Sequence, residues 1–372
     1  MRVVEILAAE PNNIGGQQSF ILYTLRNMDL SDMKVDLYTP YFSERTELTD
    51  FIESNGGEVY AAQLPCNGGS GKGALKDALM TFLKDRHYDV AHIHSGSTIA
   101  LAYSAQAAAK SGIKKVIVHS HSSGANENLK HILVKAYAAP LFRRYVTDYC
   151  ACSEEAARWK FPSSVMNTVH IINNGIDVNH FAFDSDKRSA MRDRYGIDDD
   201  TIVLGNVGRF TSEKNQIFLV EVLKAYLDRH PEAAVKLVLL GEGECKQEVI
   251  RKAEEYKLTD HLLLPDEYSK VRDYLQMYDI FLFPSLYEGL GIAAVEAQAA
   301  GLPVIASTGV PATMQLTENV AYLPIDNPVV WCDKIDDFTR CRRTDQSTDI
   351  KAAGFDIKDT AEKVRELYLG NS

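Results

Sequence analysis

The chain has 372 residues, 45% of them apolar and 24% charged, a composition that packs a core and excludes a disordered chain. Its formal charge of −11 lies wholly in the second half: residues 1–176 hold 17 Lys and Arg against 17 Asp and Glu, and residues 177–372 hold 23 against 34. That balance excludes general nucleic-acid binding, which needs a basic stripe, but not a nucleotide ligand, which needs only a local positive pocket.

Short apolar segments alternate with amphipathic ones from end to end. Strands are predicted at Val3–Ala9, Val35–Thr39, Val59–Leu64, Val90–His94, Lys115–His119, Tyr149–Ala151 and Val169–Ile172. A second series covers Ile202–Val207, Val235–Leu240, Leu262–Leu264, Ile280–Phe283, Val304–Ser307 and Val320–Leu323. Most are rich in Val, Ile and Leu on both faces, as in parallel sheets covered by helices on both sides. Between the series lies the turn-prone Asn173-Asn174-Gly175-Ile176-Asp177. The expected organisation is therefore two doubly wound α/β domains facing a central cleft, residues 1–176 and 177–356. The amphipathic segment 357–372 has no strand after it and is expected to pack back on the first domain. The chain opens on a strand, so no signal peptide is expected, and no run of ~18 apolar residues suggests a membrane span. Six cysteines (Cys66, Cys150, Cys152, Cys245, Cys332, Cys341) form no C-x-x-C pair, which predicts reduced thiols in a cytoplasmic protein.

Several motifs fall at predicted strand ends. Gly15-Gly16 precedes a helix expected near Gln17–Asn27, where two glycines let backbone approach a phosphate or sugar. Gly68-Gly69-Ser70-Gly71-Lys72-Gly73 imitates a phosphate loop but lacks its first glycine and its final Ser or Thr, and reads as a plain loop. His92, His94, His119 and His121 close two strands. A zinc site is conceivable there, but no cysteine or carboxylate joins at a recognisable spacing, and hydroxyl contacts fit better. Leu129–Tyr145 mixes Leu129, Ile132, Leu133, Ala136 and Tyr137 with Lys130, Lys135, Arg143 and Arg144. It suits an anionic membrane surface or an ordinary helix pair, with Pro140 interrupting it. Asp198-Asp199-Asp200 reads as a solvated turn.

In the second half, Gly208-Arg209-Phe210 with Lys214 follows a strand, and two cations there suit a leaving diphosphate. Gly241-Glu242-Gly243 follows the next strand, a tight turn or a ligand contact. The segment Pro284–Ser307 is the most informative. Glu288 and Glu296 flank Gly289-Leu290-Gly291-Ile292, after the apolar run Ile280–Phe283. A glycine turn opening a helix presents free N–H groups and a favourable dipole to phosphates. Glu288 is expected in the turn and Glu296 about two turns into the helix.

Taken together, these residues resemble glycosyltransferase family 4, retaining enzymes of GT-B fold. The likeness runs from the Gly15-Gly16 loop through Tyr88–His94, Val116–His121, Ile172–Asp177 and Gly208-Arg209 with Lys214 to the E-x7-E segment. The finer pattern resembles bacterial capsule, exopolysaccharide or envelope-glycan enzymes. The resemblance implies a cytoplasmic hexosyl- or N-acetylhexosaminyltransferase, with peripheral contact at the inner membrane face. It would use a nucleotide-sugar co-substrate, UDP favoured over GDP or ADP, a glycan or lipid-linked acceptor, and no metal or other cofactor. Arg209 and Lys214 would stabilise the diphosphate, Glu288 the sugar hydroxyls and Glu296 the ribose. His121, favoured over His119 by register, would lie near the transferred sugar. Gly15, Gly16, Gly208, Gly241 and the backbone of Gly289, Leu290, Gly291 and Ile292 would line the donor. Leu290 and Pro265-Asp266 depart from the family's usual aromatic residue and glycine. A nucleotide-sugar 2-epimerase or a non-catalytic sugar-nucleotide-binding regulator are the alternatives; incubation with nucleotide sugar separates them by product.

Overall fold

Among the described residues, branched apolar side chains on both faces drive thirteen short strands into two fully parallel sheets. The computed structural model describes residues 1–8, 16–41, 45–65, 72–121, 128–267 and 270–370; Gly15, Cys66 and Gly68–Gly71 lie outside them. Two compact units result, Met1–Ile176 with Gly354–Ser372, and Asp177–Ala353.

In the first unit the strands are β1 (Arg2–Leu7), β2 (Lys34–Tyr41), β3 (Val59–Leu64), β4 (Val90–His94), β5 (Lys115–Ser120), β6 (Asp148–Ala151) and β7 (Val169–Ile171). Their spatial order is β3-β2-β1-β4-β5-β6-β7, so the winding direction reverses between β1 and β4. One face packs on the alanine-rich helix Thr98–Lys110, where Leu101, Ala102 and Ala105 are fully buried. The opposite face holds Phe20, Leu22 and Leu25 of the helix Gly16–Arg26, and Ala361, Val364, Leu367 and Tyr368 of the last helix, Ile357–Leu369. That last helix returns through a bridge: Ile176 N donates to Phe355 O at 2.9 Å, and Ile357 N donates to Ile176 O at 2.9 Å. Gly175 is needed at this crossing, because a Cβ there would stand 2.5 Å from Thr360 Oγ1.

Leu129–Tyr145 is one continuous 17-residue helix, so Pro140 does not interrupt it. A proline removes one N–H donor, and here Ala138 and Phe142, both fully buried beside it, hold the helix against the core. Its N-terminal stretch leaves Leu129 72% and Leu133 61% exposed.

The second unit contains β8 (Ile202–Val207), β9 (Val235–Leu240), β10 (Leu262–Leu263), β11 (Ile280–Phe283), β12 (Val304–Ser307) and β13 (Val320–Leu323), ordered β10-β9-β8-β11-β12-β13. The reversal here falls between β8 and β11. Open parallel sheets bind ligands beyond the carboxyl ends of the strands at such a reversal. The β8/β11 pair is set by Asp279, which accepts from Val203 N at 2.7 Å and from Arg188 at 2.6 Å. Trp331, Phe218 and Leu223 fill one face.

Among the described residues no helix is long and apolar enough to cross a membrane, and Cys150, Cys152, Cys245, Cys332 and Cys341 are free thiols.

The last helix completes the first unit's core, so truncating a side chain in it should act like any core deletion. Leu367→Ala should lower unfolding stability by about 2–5 kcal/mol, read as a reduced denaturation midpoint at unchanged slope.

Candidate functional site

Beyond β8 and β11 two loops are zipped together by backbone and side-chain bonds. Leu286 N donates to Glu213 O at 2.7 Å, and Asn215 Nδ2 donates to Pro284 O at 3.3 Å. Tyr287 OH adds a bond to Glu213 Oε1 at 3.2 Å. At the centre, Lys214 Nζ donates to Glu288 Oε1, an ion pair with only 27% and 10% of the two side chains exposed. Ser285 Oγ donates to the same carboxylate oxygen at 2.7 Å. Beneath it, the Lys214 ammonium lies 5.6 Å from the centre of the Phe283 ring. Thus Lys214 is positioned before any ligand arrives.

Gly208 and Arg209 are fixed from below. Gln216 Nε2 donates to Arg209 O at 2.9 Å and to Gly208 O at 3.3 Å. Gly241 lies against this loop, where a Cβ would stand 2.0 Å from Gly208 O. Phe210 N donates to Glu242 O at 2.8 Å. The Gly241-Glu242-Gly243 turn therefore backs the Gly208–Phe210 loop. Arg209 itself is exposed, and its guanidinium makes no hydrogen bond or ion pair among the described residues. It is a free cation beside a fixed one.

The helix Ile292–Ala299 is preceded by Gly291 as its N-cap, directly after Gly289-Leu290, and the Gly291 φ of 84° is left-handed. Two reasons demand glycine there: the backbone angle, and a Cβ position only 2.7 Å from Phe283 Cε1. No side chain caps this helix, so its first N–H groups, at Ile292 and Ala293, are available to an anion. Leu290 is buried beneath the turn. Because Gly291 delays the helix start, Glu296 is the fifth helical residue, a little over one turn in rather than two.

The two glutamates differ sharply. Glu288 is paired. Glu296 is partly exposed and has no bonded partner among the described residues, and burial pushes its carboxyl up to about 8. An ionised Glu296 needs a donor that the described residues do not supply.

The first unit's site residues gather beyond β1, β4 and β5. Gly16 opens the helix Gly16–Arg26, with open space around its Cβ position. β4 and β5 pair in register, His94 beside His119. His92, His94 and His119 are fully buried and His121 keeps partial exposure. Ring nitrogens of His92, His94 and His119 lie within 4.8 Å of one another, and His92 Nε2 lies 3.2 Å from His119 Nδ1. Phe20 packs edge-on against His119 and His121, with centroids at 4.7 and 4.9 Å.

Three partners escaped sequence reading. Ser285 sits inside the motif but carries no spacing signal. Tyr368 is 363 residues from its partner Glu5. Glu5 does leave a trace, a lone carboxylate inside the apolar strand Arg-Val-Val-Glu-Ile-Leu.

Comparison with known proteins agrees with this geometry. Residues 14–180 match the family model described as Glycosyltransferase Family 4, and residues 187–354 match that of Glycosyl transferases group 1. The chain is 29% identical over 340 residues to the putative glycosyltransferase EpsF of Bacillus subtilis, covering 90% of this chain and 86% of that one. It is 26% identical over 311 residues to the UDP-Gal:alpha-D-GlcNAc-diphosphoundecaprenol alpha-1,3-galactosyltransferase of Escherichia coli, covering 78% of each. The solved structure of Anabaena HepE in complex with UDP superposes with a TM-score of 0.75 at 17% identity, over 98% of this chain and 99% of that one. That likeness establishes the fold.

The raised Glu296 carboxyl predicts a pH signature. Its native form holds a proton that the unfolded chain has already released between the ordinary glutamate value of 4.5 and about 8. Stability therefore falls as pH rises through that window. Glu296→Gln should remove this fall, so that the variant gains on the wild type in melting temperature between pH 5 and pH 8.5, by about 2–4 °C per kcal/mol relieved.

Proposed function

From a chain that belongs to glycosyltransferase family 4 and has the GT-B fold, we propose a retaining enzyme that moves a sugar from a UDP-sugar to an acceptor hydroxyl in polysaccharide or envelope-glycan synthesis. The observation that carries the donor assignment is the convergence of Arg209, Lys214 and the uncapped Ile292–Ala299 helix at the β8/β11 reversal. Two cations and the free N–H groups of Ile292 and Ala293 suit a pyrophosphate. The choice of UDP is supported by HepE, whose solved structures contain UDP and UDP-glucose.

Lys214 meets the diphosphate already oriented by Glu288, while Arg209 closes on it from solvent. As the sugar–phosphate bond breaks, negative charge grows on the leaving oxygen, and fixed cations stabilise that growth. Glu288 retains a second oxygen, Oε2, for a sugar hydroxyl. Glu296 takes the ribose hydroxyls, which supply the donors it lacks. No nucleophile occurs among Arg209, Lys214, Ser285, Glu288 and Glu296 in a suitable activated form, so the departing phosphate oxygen accepts the acceptor's proton and attack occurs on the same face. His121 contacts a hydroxyl of the transferred sugar.

The acceptor is lipid-linked, in keeping with the diphosphoundecaprenol substrate named for the Escherichia coli relative. The helix Leu129–Tyr145 suits contact with an anionic leaflet. Leu129, Ile132, Leu133 and Tyr137 are exposed along it, beside Lys130, Lys135, Arg143 and Arg144.

Arg209→Ala should reduce kcat by roughly 10²–10³ in an assay of UDP release with acceptor present, by analogy with the loss of one preorganised donor. UDP should raise the melting temperature more than GDP or ADP does at equal concentration, since a ligand at 100-fold its Kd adds about 2.7 kcal/mol. Equal shifts for all three would refute the base preference. Leu133→Glu should abolish co-sedimentation with vesicles containing phosphatidylglycerol, and raised salt should weaken binding of the wild type.

A further inference from the structure

The four histidines of the first unit are wired to one buried carboxylate. Glu5 is 2% exposed on the central strand β1. His94 Nε2 lies 2.8 Å from Glu5 Oε2, and His94 Nδ1 lies 2.8 Å from His121 Nε2. On its other oxygen Glu5 accepts from Tyr368 OH, whose oxygen lies 2.7 Å from His92 Nδ1. His92 Nε2 is 3.2 Å from His119 Nδ1. Two chains thus run outward from Glu5 to the paired residues of β5, whose rings stack with centroids 4.2 Å apart. At the far ends, among the described residues, His119 Nε2 is buried without a hydrogen-bond partner, and His121 Nδ1 is buried with only the Asn174 side chain acting on its ring.

Proton order follows from the anchor. Although burial pushes the Glu5 carboxyl up, the two neighbouring imidazoles hold it well below the usual carboxylate range, so it is an acceptor at both oxygens. His94 Nε2 must then carry the hydrogen. Burial brings His94 down to about 4, so the ring is neutral near pH 7 and its Nδ1 is bare. A bare Nδ1 can only accept, which requires His121 Nε2–H. Burial also holds His121 well below its ordinary value, so one proton is all it has, and Nδ1 is left bare. The reverse order would set a His94 lone pair against the Glu5 carboxylate at 2.8 Å.

We propose that Glu5 is a positioning residue for His121. Acting through His94, it fixes His121 as the neutral Nε2–H tautomer, whose Nδ1 accepts hydrogen bonds and gives none. This rests on the glycosyltransferase reading for its purpose: an accepting nitrogen suits a sugar hydroxyl and turns away phosphate oxygens, which would otherwise compete for the same place. Asn174, the polar side chain acting on the same ring, must offer its NH₂ rather than its oxygen. The groups facing His121 in this network are Glu5, His92, His94, His119, Asn174 and Tyr368.

Long-range ¹H–¹⁵N spectra of the full chain labelled with ¹⁵N-histidine, at pH 7 without ligand, read the tautomers directly, with His121→Gln giving the assignment. The expected wild-type result is neutral Nε2–H for His121. An Nδ1–H or charged His121 overturns the proposal. In Glu5→Gln the charge that orders the chain is gone, and an Nδ1–H population of His121 should appear. Donor turnover should then fall about 10–100-fold in kcat with KM within about twofold, as for other second-layer partners of a functional histidine. Unchanged tautomers in Glu5→Gln would reduce Glu5 to a packing role and overturn the assignment. Because the wild-type spectrum needs no substrate, it stands apart from the transferase reading: correct tautomers with no transfer activity would refute the reading and not the relay.

Discussion

The reversal of winding in each parallel sheet is the constraint on which both sites depend. Where strand order turns back, the loops leaving two neighbouring strands diverge to opposite faces and leave a crevice at the carboxyl edge. In the second unit that crevice lies between β8 and β11, and the loops leaving those strands carry Arg209, Lys214 and Glu288. In the first it lies between β1 and β4, and those strands carry Glu5 and His94. Residues 74 positions apart, Lys214 and Glu288, become an ion pair because their strands are neighbours in the sheet.

The glycines matter for contact more than for flexibility. Gly241 admits the Gly208 carbonyl, and Gly291 admits the edge of Phe283 while turning the chain into a helix. Each brings one loop a side-chain thickness closer to the next. The result is a rigid floor on which one cation is pinned and one is free. Pinning offsets some of the Lys214 charge against Glu288, but a partly buried pair keeps the ammonium in place.

Much of this was legible in the sequence, for specific reasons. Continuous Val, Ile and Leu runs separated by helical stretches dictate parallel sheets. The glycine between Ile280–Phe283 and Ala293 dictates a strand-to-helix turn. The sequence could not show where the helix began, because a left-handed Gly291 and a right-handed one look alike, and Glu296 moved by most of a turn as a result. Pro140 misled for a related reason. A proline weakens an isolated helix, but buried Ala138 and Phe142 outweigh one lost hydrogen bond. The Glu5 network was hidden because its members come from β1, β4, β5 and the last helix, and no local spacing links them.

The two glutamates of the second unit and the one of the first show how a single residue type acquires three characters. Glu288, bonded to a lysine and a serine, is a fixed anion that orients a cation. Glu296, partly exposed and with no donor among the described residues, has its carboxyl raised by desolvation. Glu5, bonded by His94 and Tyr368, is held as an acceptor in the core because both partners donate to it. In each instance the carboxyl group is the same and the count of available donors decides its charge.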